Sequence, residues 1–233
     1  DFTLAFPPSA LDICSTDSKS VGVNIDSLNQ YDELVSLEAS QLSGYALAFE
    51  PIGPYTPPAE AALTLTGDGS AEFGSSTLTI TGTSGSLTHT ADLQVNTYTT
   101  LAAGPALLTP EDGANDVPPN VKFSWQALPG AISYQLQVAT DQAFGNIILD
   151  EDGLTATNFL PASALQTDTR YYWRVIAENV CNATNENEVF TFRTQPGPGD
   201  CPAGTTPRII YLSDFEQGAA GWQDTSSDLF HWS

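Results

Sequence analysis

The chain has few basic residues, few histidines and no methionine. Of its 233 residues, 6 are Lys or Arg and 28 are Asp or Glu, which gives a formal net charge of −22. Binding to nucleic acid requires clustered Lys and Arg against the phosphates, and binding to an anionic lipid surface requires the same side chains. The composition therefore argues against both partners. The scattered acids are typical of a solvated, mutually repelling surface of a soluble secreted protein.

Long apolar runs are also missing. A membrane span needs about 18 or more consecutive apolar residues, and the sequence contains no such run. No charged region followed by an apolar segment is present either, so no signal peptide is predicted. Asp1 begins directly in strand-like sequence, and the chain stops at Ser233 among apolar residues. We therefore expect a fragment of a longer chain whose leader lies upstream.

Catalytic signatures are scarce. His89 and His231 are the only histidines, so few side chains can act as a general base. The sequence has no GxSxG, HExxH or Gly-rich phosphate loop. Its paired acids lie in turn-like sequence, which does not provide the cleft and the raised carboxyl pKa that glycoside hydrolysis needs. We expect no catalytic residue in this chain.

Short runs in which every second residue is apolar recur along the chain, separated by Gly, Pro, Asn and Asp. This pattern predicts an all-β fold of sandwich type. Within residues 1–98, seven short strands predict an immunoglobulin-like sandwich. The predicted strands are 2–6, 21–25, 35–39, 47–49, 62–65, 76–81 and 90–95. Four prolines between 51 and 58 indicate an edge or a loop, because proline cannot donate to a sheet ladder.

A second sandwich is predicted for residues 105–194, after a short linker at 99–104. Its predicted strands are 121–125, 134–138, 147–149, 158–160, 170–177 and 189–193. In strand 170–177 we assign Tyr171, Trp173 and Val175 to the core, because the opposite register would bury Arg174 without a partner.

The end of the chain is predicted to leave this second sandwich. Residues 195–207 form a Pro/Gly linker that proline stiffens. Residues 208–233 are too few to bury a core alone, so we expect them to begin a truncated third domain.

Three cysteines, Cys14, Cys181 and Cys201, are too few for a disulfide-rich fold. Their spacing lacks the second pair of ligands that a zinc site needs. Cys181 and Cys201 are close enough in sequence to form a disulfide, which would tie the second sandwich to the following linker. Cys14 would then be a buried thiol, or would pair outside the fragment.

The second unit resembles a fibronectin type III domain of the bacterial secreted kind. The segments that carry the resemblance are Thr109–Pro118, Phe123–Trp125, Ala131–Tyr134, Val138–Phe144 and Tyr171–Val175. The resemblance covers the unit of about 90 residues and implies a sandwich that usually serves as an accessory module.

The two flanking regions have resemblances of their own. The first unit is similar to an immunoglobulin-like repeat of secreted bacterial proteins, through Asp1–Leu4, Ile13–Cys14 and Val35–Leu37. The segment Asp214–Trp222 looks like the opening of a MAM-like or other jelly-roll module. Together the three units resemble the accessory region of secreted metallopeptidases or subtilisin-like proteases. This resemblance implies that the parent chain is a peptidase.

Acidic turns make calcium the one cofactor that the sequence offers. Ca²⁺ binds six to eight oxygens from carboxylates and loop carbonyls, and the turns at 111–116 and 150–153 are rich in them, although neither matches an EF-hand. The candidate ligands are Asp112, Asp116, Asp150, Asp152, Asp214 and Glu216. The alternative is turn chemistry, in which Asp and Asn side chains bond to their own backbone.

Four tyrosines outside the predicted core form a candidate contact surface if they cluster. They are Tyr31, Tyr45, Tyr55 and Tyr98, and we expect them to be exposed.

Three functions remain open. The first is a non-catalytic extracellular spacer or anchoring module of a secreted or surface bacterial protein, accessory to a peptidase, whose partners are the neighbouring domains of the parent chain. The second is an adhesive module that binds carbohydrate or protein. The third is a subunit of an extracellular assembly, in which an unpaired strand such as 208–212 adds to a neighbour's sheet edge.

Overall fold

A computed structural model describes residues 1–184 and 187–197 of the chain. Every regular element in this part is a β-strand, which confirms the predicted all-β class. Residues 1–195 form one compact unit, which contains two separate hydrophobic cores. Nothing in the described part forms a helix that is long and apolar enough to cross a membrane.

The first sandwich has eight strands in two sheets. They are β1 (Phe2–Ala5), β2 (Ala10–Cys14), β3 (Ser18–Ser27), β4 (Ser36–Ala39), β5 (Tyr45–Glu50), β6 (Ala59–Gly67), β7 (Gly74–Ser84) and β8 (Leu87–Tyr98). One sheet has the order β1-β3-β6-β5 and the other has β2-β8-β7-β4. If β1 and β2 are counted as halves of one strand, the seven strands divide four and three, as in a constant-type immunoglobulin sandwich.

The split between β1 and β2 has a cause in the sequence. Pro7 and Pro8 lie between the two strands, and neither can donate a backbone hydrogen bond to a ladder. Before the two prolines, the chain pairs antiparallel with β3 as strand β1. After them, it pairs parallel with β8 as strand β2.

The first core lies between these sheets and is mainly aliphatic. Alternate residues of β3 point inward, so Val21, Val23 and Ile25 are buried while their neighbours are more exposed. Leu63 and Leu65 do the same on β6. This is the period-two burial that the sequence pattern predicts for a half-buried strand.

The second sandwich also has eight strands. They are β9 (Leu107–Thr109), β10 (Ala114–Val117), β11 (Phe123–Trp125), β12 (Ser133–Ala139), β13 (Ile147–Leu154), β14 (Asn158–Phe159), β15 (Arg170–Glu178) and β16 (Phe190–Thr194). One sheet has the order β14-β11-β9 and the other has β10-β16-β15-β12-β13. Strand β10 is parallel to β16.

Strand β15 lies in the register that the sequence predicts. Tyr171, Trp173 and Val175 are 2%, 0% and 1% exposed, and they belong to the second core. The Tyr171 hydroxyl accepts a hydrogen bond from the backbone N–H of Gln166, at 3.0 Å. A tyrosine near the start of a late strand that bonds back to the chain just upstream is the tyrosine corner of such sandwiches.

Three of the strands, β2, β9 and β10, are absent from the sequence prediction. Strand β9 (Leu-Leu-Thr) and strand β10 (Ala-Asn-Asp-Val) do not alternate apolar with polar residues, so they lack the pattern on which the strand prediction depends. Strand β2 follows two prolines, and its parallel partner β8 lies at the other end of the first sandwich in sequence. Local pattern carries no signal for such a long-range pairing.

Candidate functional site

The junction between the two sandwiches contains a disulfide. Cys14, the last residue of β2, is bonded to Cys181, which follows β15 in the chain, and 167 positions separate the two cysteines. The predicted pairing of Cys181 with Cys201 is therefore wrong. It was based on closeness in sequence, whereas the parallel pairing of β2 with β8 places Cys14 opposite Tyr98, next to the linker. Cys201 lies outside the described residues.

Hydrogen bonds join the linker at 99–104 to the turn that carries Cys181. The Asn182 amide oxygen accepts from the Leu101 N–H at 2.8 Å, and its amide nitrogen donates to the Leu101 carbonyl at 3.0 Å. The Asn179 amide nitrogen donates to the carbonyls of Thr99, at 2.9 Å, and Gly130, at 3.0 Å. Leu101 itself is buried in the second core. The linker is therefore held at Thr99 and Leu101 by one turn of the second sandwich.

The turn is itself ordered by its own side chains. The Asn179 amide oxygen accepts from the N–H groups of Cys181 and Asn182. The Thr184 hydroxyl, which is buried, accepts from the N–H of Ala177 at 3.0 Å. Because Asn and Thr bond to nearby backbone in this way, such turns form readily. The cysteine is thus presented from a preorganised segment.

An apolar contact also crosses the junction, between Phe73 of the first sandwich and the Gly130 loop of the second. Within the first sandwich, the Phe73 ring packs on the Tyr98 ring with centroids 5.9 Å apart. Gly130 has a φ of +84°, and a side chain there would point at Phe73 and Leu101. Glycine suits this position because it adopts positive φ without strain. The disulfide, the amide bonds and the contact between Phe73 and the Gly130 loop together attach the second sandwich to the end of the first.

Of the predicted calcium ligands at 111–116, Asp112 bonds to strand β16 and Asp116 adopts a turn conformation. The Asp112 carboxylate accepts from the N–H of Thr191 at 2.9 Å. Asp116 lies at a φ of +56°, a conformation that Asp tolerates in turns. No three acidic, histidine or cysteine side chains of the described residues come together as an ion site.

The candidate ligands in the turn at 150–153 also accept hydrogen bonds from protein groups. Asp150 accepts from the side-chain amides of Gln135, at 2.6 Å, and Gln137. Asp152 accepts from the N–H of Gly153 at 2.6 Å. Asp214 and Glu216 lie outside the described residues. Calcium binding therefore stays untested.

The four candidate tyrosines do not share one surface. Tyr55 is only 6% exposed, so the expectation that it is exposed is wrong. Its hydroxyl donates to the Pro51 carbonyl at 2.6 Å, and burial raises the pKa of Tyr55. Local pattern contains no sign of this burial, because Val35 and Tyr55 pair as an isolated bridge between loops.

The remaining tyrosines are half-buried, and each has its own partner. Tyr31 donates to Ser84, and Tyr45 donates to Thr97. Tyr98 packs on Phe73. Whether they contact a partner stays untested, but the structure does not assemble them into a stacking platform.

One turn of the second sandwich is governed by a carboxylate that sequence reasoning did not single out. Asp141 accepts from the N–H groups of Gly145, Asn146 and Ala143, and these bonds lower the pKa of Asp141. The turn holds the Phe144 ring 4.0 Å from the Arg174 guanidinium carbon, within the range of a cation–π contact. The sequence signal that could have identified this turn is Asp141 itself, because an Asp side chain bonds to backbone N–H groups about two residues further on.

Comparison with known proteins supports the fold. No protein-family model matches the chain, and no curated protein matches its sequence. Domains A168–A170 of titin superpose with a TM-score of 0.50 at 13% identity, covering 82% of this chain and 66% of that one. This chain therefore spans slightly less than two thirds of the titin fragment.

Two other solved structures are similar over different lengths. A Fn3-like protein from Clostridium thermocellum is 26% identical, with a TM-score of 0.31, over 41% of this chain and 98% of its own. The D1–D4 ectodomain fragment of ICAM-5 is 11% identical, with a TM-score of 0.42, over 89% of this chain and 55% of its own. The architecture, with the titin superposition, shows an all-β chain of immunoglobulin-like and fibronectin type III-like β-sandwiches.

Proposed function

We propose that this chain is a non-catalytic spacer or anchoring segment of a larger secreted or surface bacterial protein, accessory to a peptidase. The observation that carries the proposal is the Cys14–Cys181 disulfide, which joins the two sandwiches. A spacer acts by setting the distance and angle between its neighbours, and inter-domain motion is the default unless an interface restrains it. Here a covalent bond and a pinned linker provide that restraint.

The same disulfide supports an extracellular location. Disulfides persist in oxidising environments and are rare in the cytosol. The acidic composition, with 28 acids against 6 Lys and Arg, fits a soluble surface rather than one that binds nucleic acid. The peptidase association rests on the resemblance of the accessory region alone.

The non-catalytic part of the proposal is supported by how polar side chains are used. His89 bonds to Asp1, with 2.7 Å between Nε2 and Oδ1, at the surface. The acids of the turns accept from nearby backbone and amide groups instead of facing a shared cleft. These side chains stabilise turns and strand ends, which is the role of polar groups in a structural module.

We call the Cys14–Cys181 disulfide together with the bonded linker the clamp. The clamp is tested by measuring the angle between the sandwiches in solution. Small-angle scattering and residual dipolar couplings on the oxidised chain should fit one arrangement of residues 1–195. The Cys14→Ser/Cys181→Ser double variant should show a broader distribution of angles. Cys201→Ser is the matched control, since it removes a cysteine and leaves the clamp intact. A wild-type chain as mobile as the double variant would overturn the spacer proposal.

The peptidase association has a separate test. Sequencing the parent chain upstream of Asp1 should reveal a catalytic peptidase domain. A different class of domain there would remove that part of the proposal and leave the spacer role standing.

A further inference from the structure

Strand β5 is an edge strand that lacks the usual protection against strand addition. It pairs only with β6 among the described strands, in a register without shifts. Its sequence, Tyr-Ala-Leu-Ala-Phe-Glu, has one charge, at its last position. Edge strands in soluble proteins are normally blunted by charges or bulges. The other long edge strand, β13, has both: three consecutive acids at 150–152 and two register shifts against β12.

The free backbone groups of β5 can be assigned from the ladder. The Gly44 carbonyl accepts from the N–H of Asp68, on the side of β6, whereas the N–H of Tyr45 bonds to Leu42. Alternate residues of an antiparallel strand bond to the same neighbour. The N–H and C=O groups of Leu47 and Phe49 therefore point away from β6, and no hydrogen bond from another described residue reaches them.

The side chains beside this edge leave the first core partly uncovered. Leu47 and Phe49 are only half-buried although they pack against the core. A groove of about 530 Å³ lies between β4 and β5, lined by Leu37, Phe49 and Tyr55 among others. Ile52, at its rim, is 90% exposed. An added strand would cover apolar surface that the fold leaves open.

We propose that β5 pairs antiparallel with β5 of a second copy of this chain. The register that satisfies all four free groups places Leu47 opposite Phe49 of the other copy, and Phe49 opposite its Leu47. Ala48 then faces its own symmetry mate across the two-fold axis, and Ala46 faces Glu50. The edge is thus complementary to itself, which a two-fold interface requires.

The charges permit this pairing despite the high net charge. The two Glu50 side chains lie four residues apart along the pair, about 13 Å at roughly 3.3 Å per residue, which exceeds the Debye length of about 8 Å at physiological salt. The remaining repulsion comes from the −22 carried by each copy. Added salt screens that repulsion and leaves the uncharged contact intact, so self-association strengthens with salt. A basic peptide on the same edge would instead bind more weakly as salt rises.

Two alanines on the same exposed face of β5 provide a matched test. Sedimentation equilibrium of the full chain should show a monomer–dimer equilibrium that shifts toward dimer between low and high NaCl. Ala48→Lys places two like charges face to face and should abolish the dimer. Ala46→Lys places a lysine opposite Glu50 and should keep or tighten it. Neither side chain enters the core, because both alanines are exposed.

Cross-linking identifies the register directly. In a Cys201→Ser background, Ala48→Cys should form an intermolecular disulfide on mild oxidation, because directly opposed residues in a non-hydrogen-bonded pair have Cα atoms about 4.5 Å apart. Ala46→Cys should not cross-link, since the two introduced thiols are four positions apart along the paired strands. A chain that stays monomeric at all salt concentrations, or equal cross-linking of both variants, would overturn the proposal.

Discussion

The two sandwiches differ in the sheet to which one strand belongs. In the first, β5 leaves β4 and joins β6, in the sheet that holds β1 and β3. In the second, β13 pairs with β12 and extends the sheet that also contains β15, β16 and β10. The sheet that β5 or β13 joins decides which strand becomes an exposed edge. The second sandwich exposes a strand with acids at 150–152, whereas the first exposes an almost uncharged one. Edge protection is therefore set strand by strand, even in a chain with a net charge of −22.

The cores differ as much as the edges. The first is built mainly from Val, Leu and Ile, whereas about half of the buried residues of the second are aromatic. Phe123 packs on Trp173 with ring centroids 5.2 Å apart, and Trp125 on Tyr134 at 5.6 Å. Neither of these tryptophans has a counterpart in the first sandwich, since all 4 tryptophans of the chain lie at position 125 or later. Tryptophan fluorescence therefore reports nothing from the first core, whereas circular dichroism reports both.

The largest expected effect comes from separating the sandwiches. The disulfide spans 167 positions, and chain entropy assigns a cross-link of that length about 5 kcal/mol. Cys14→Ser/Cys181→Ser should lower the free energy of unfolding by up to that amount. It should also split the urea transition followed by fluorescence from that followed by circular dichroism. Unchanged, coincident midpoints would show that the bond does not couple the two cores.

A change in the aromatic core should act on one sandwich. Trp173 is fully buried, and truncating a buried tryptophan costs about 3–5 kcal/mol. In the Cys14→Ser/Cys181→Ser background, with Trp222→Phe and Trp232→Phe added so that only Trp125 and Trp173 fluoresce, Trp173→Ala should move the transition of Trp125 fluorescence and leave the circular dichroism transition of the first sandwich in place. Tyr172→Ala, on the outer face of the same strand, is the control and should cost less. A shift of both transitions would mean that the cores fold as one.

A smaller effect is expected from the Asp141 carboxylate, in the second sandwich. Backbone N–H groups lower the pKa of Asp141 below its ordinary value of 3.8, so the folded state favours the charged form. This stabilisation is present above the unfolded pKa and is lost as pH falls through the folded pKa. Wild type should exceed Asp141→Asn in stability near neutral pH, and the gap should close as pH falls through the lowered pKa of the folded state. A gap that persists at low pH would contradict the assignment.

The smallest effect is expected from removing calcium. The acids at 112, 150 and 152 already accept hydrogen bonds from nearby groups, so a melt with EDTA should match one with added Ca²⁺ for either sandwich. A Tm that falls with EDTA and recovers with Ca²⁺ would establish the acidic turns as metal sites.

Local pattern accounts for most of the fold. Alternation predicted the all-β class, and the argument against burying Arg174 assigned the correct face of β15. The sequence alone could not predict features that depend on pairing between residues distant in the chain. Strand β2 alternates Leu11 and Ile13 with Asp12, but its parallel pairing with β8, which fixes the position of Cys14, joins residues that are distant in sequence. Tyr55 was misplaced for the same reason, because its burial depends on a bridge to Val35.

The central claim is that Cys14 and Cys181 join the two sandwiches, and peptide mapping tests it directly. Cleavage after Lys and Arg places Cys14 in peptide 1–19, Cys181 in 175–193 and Cys201 in 194–208. Non-reducing mass spectrometry of the oxidised chain should find peptide 1–19 linked to 175–193, with 194–208 outside that pair. A link between 175–193 and 194–208 would contradict the clamp, and the spacer mechanism with it.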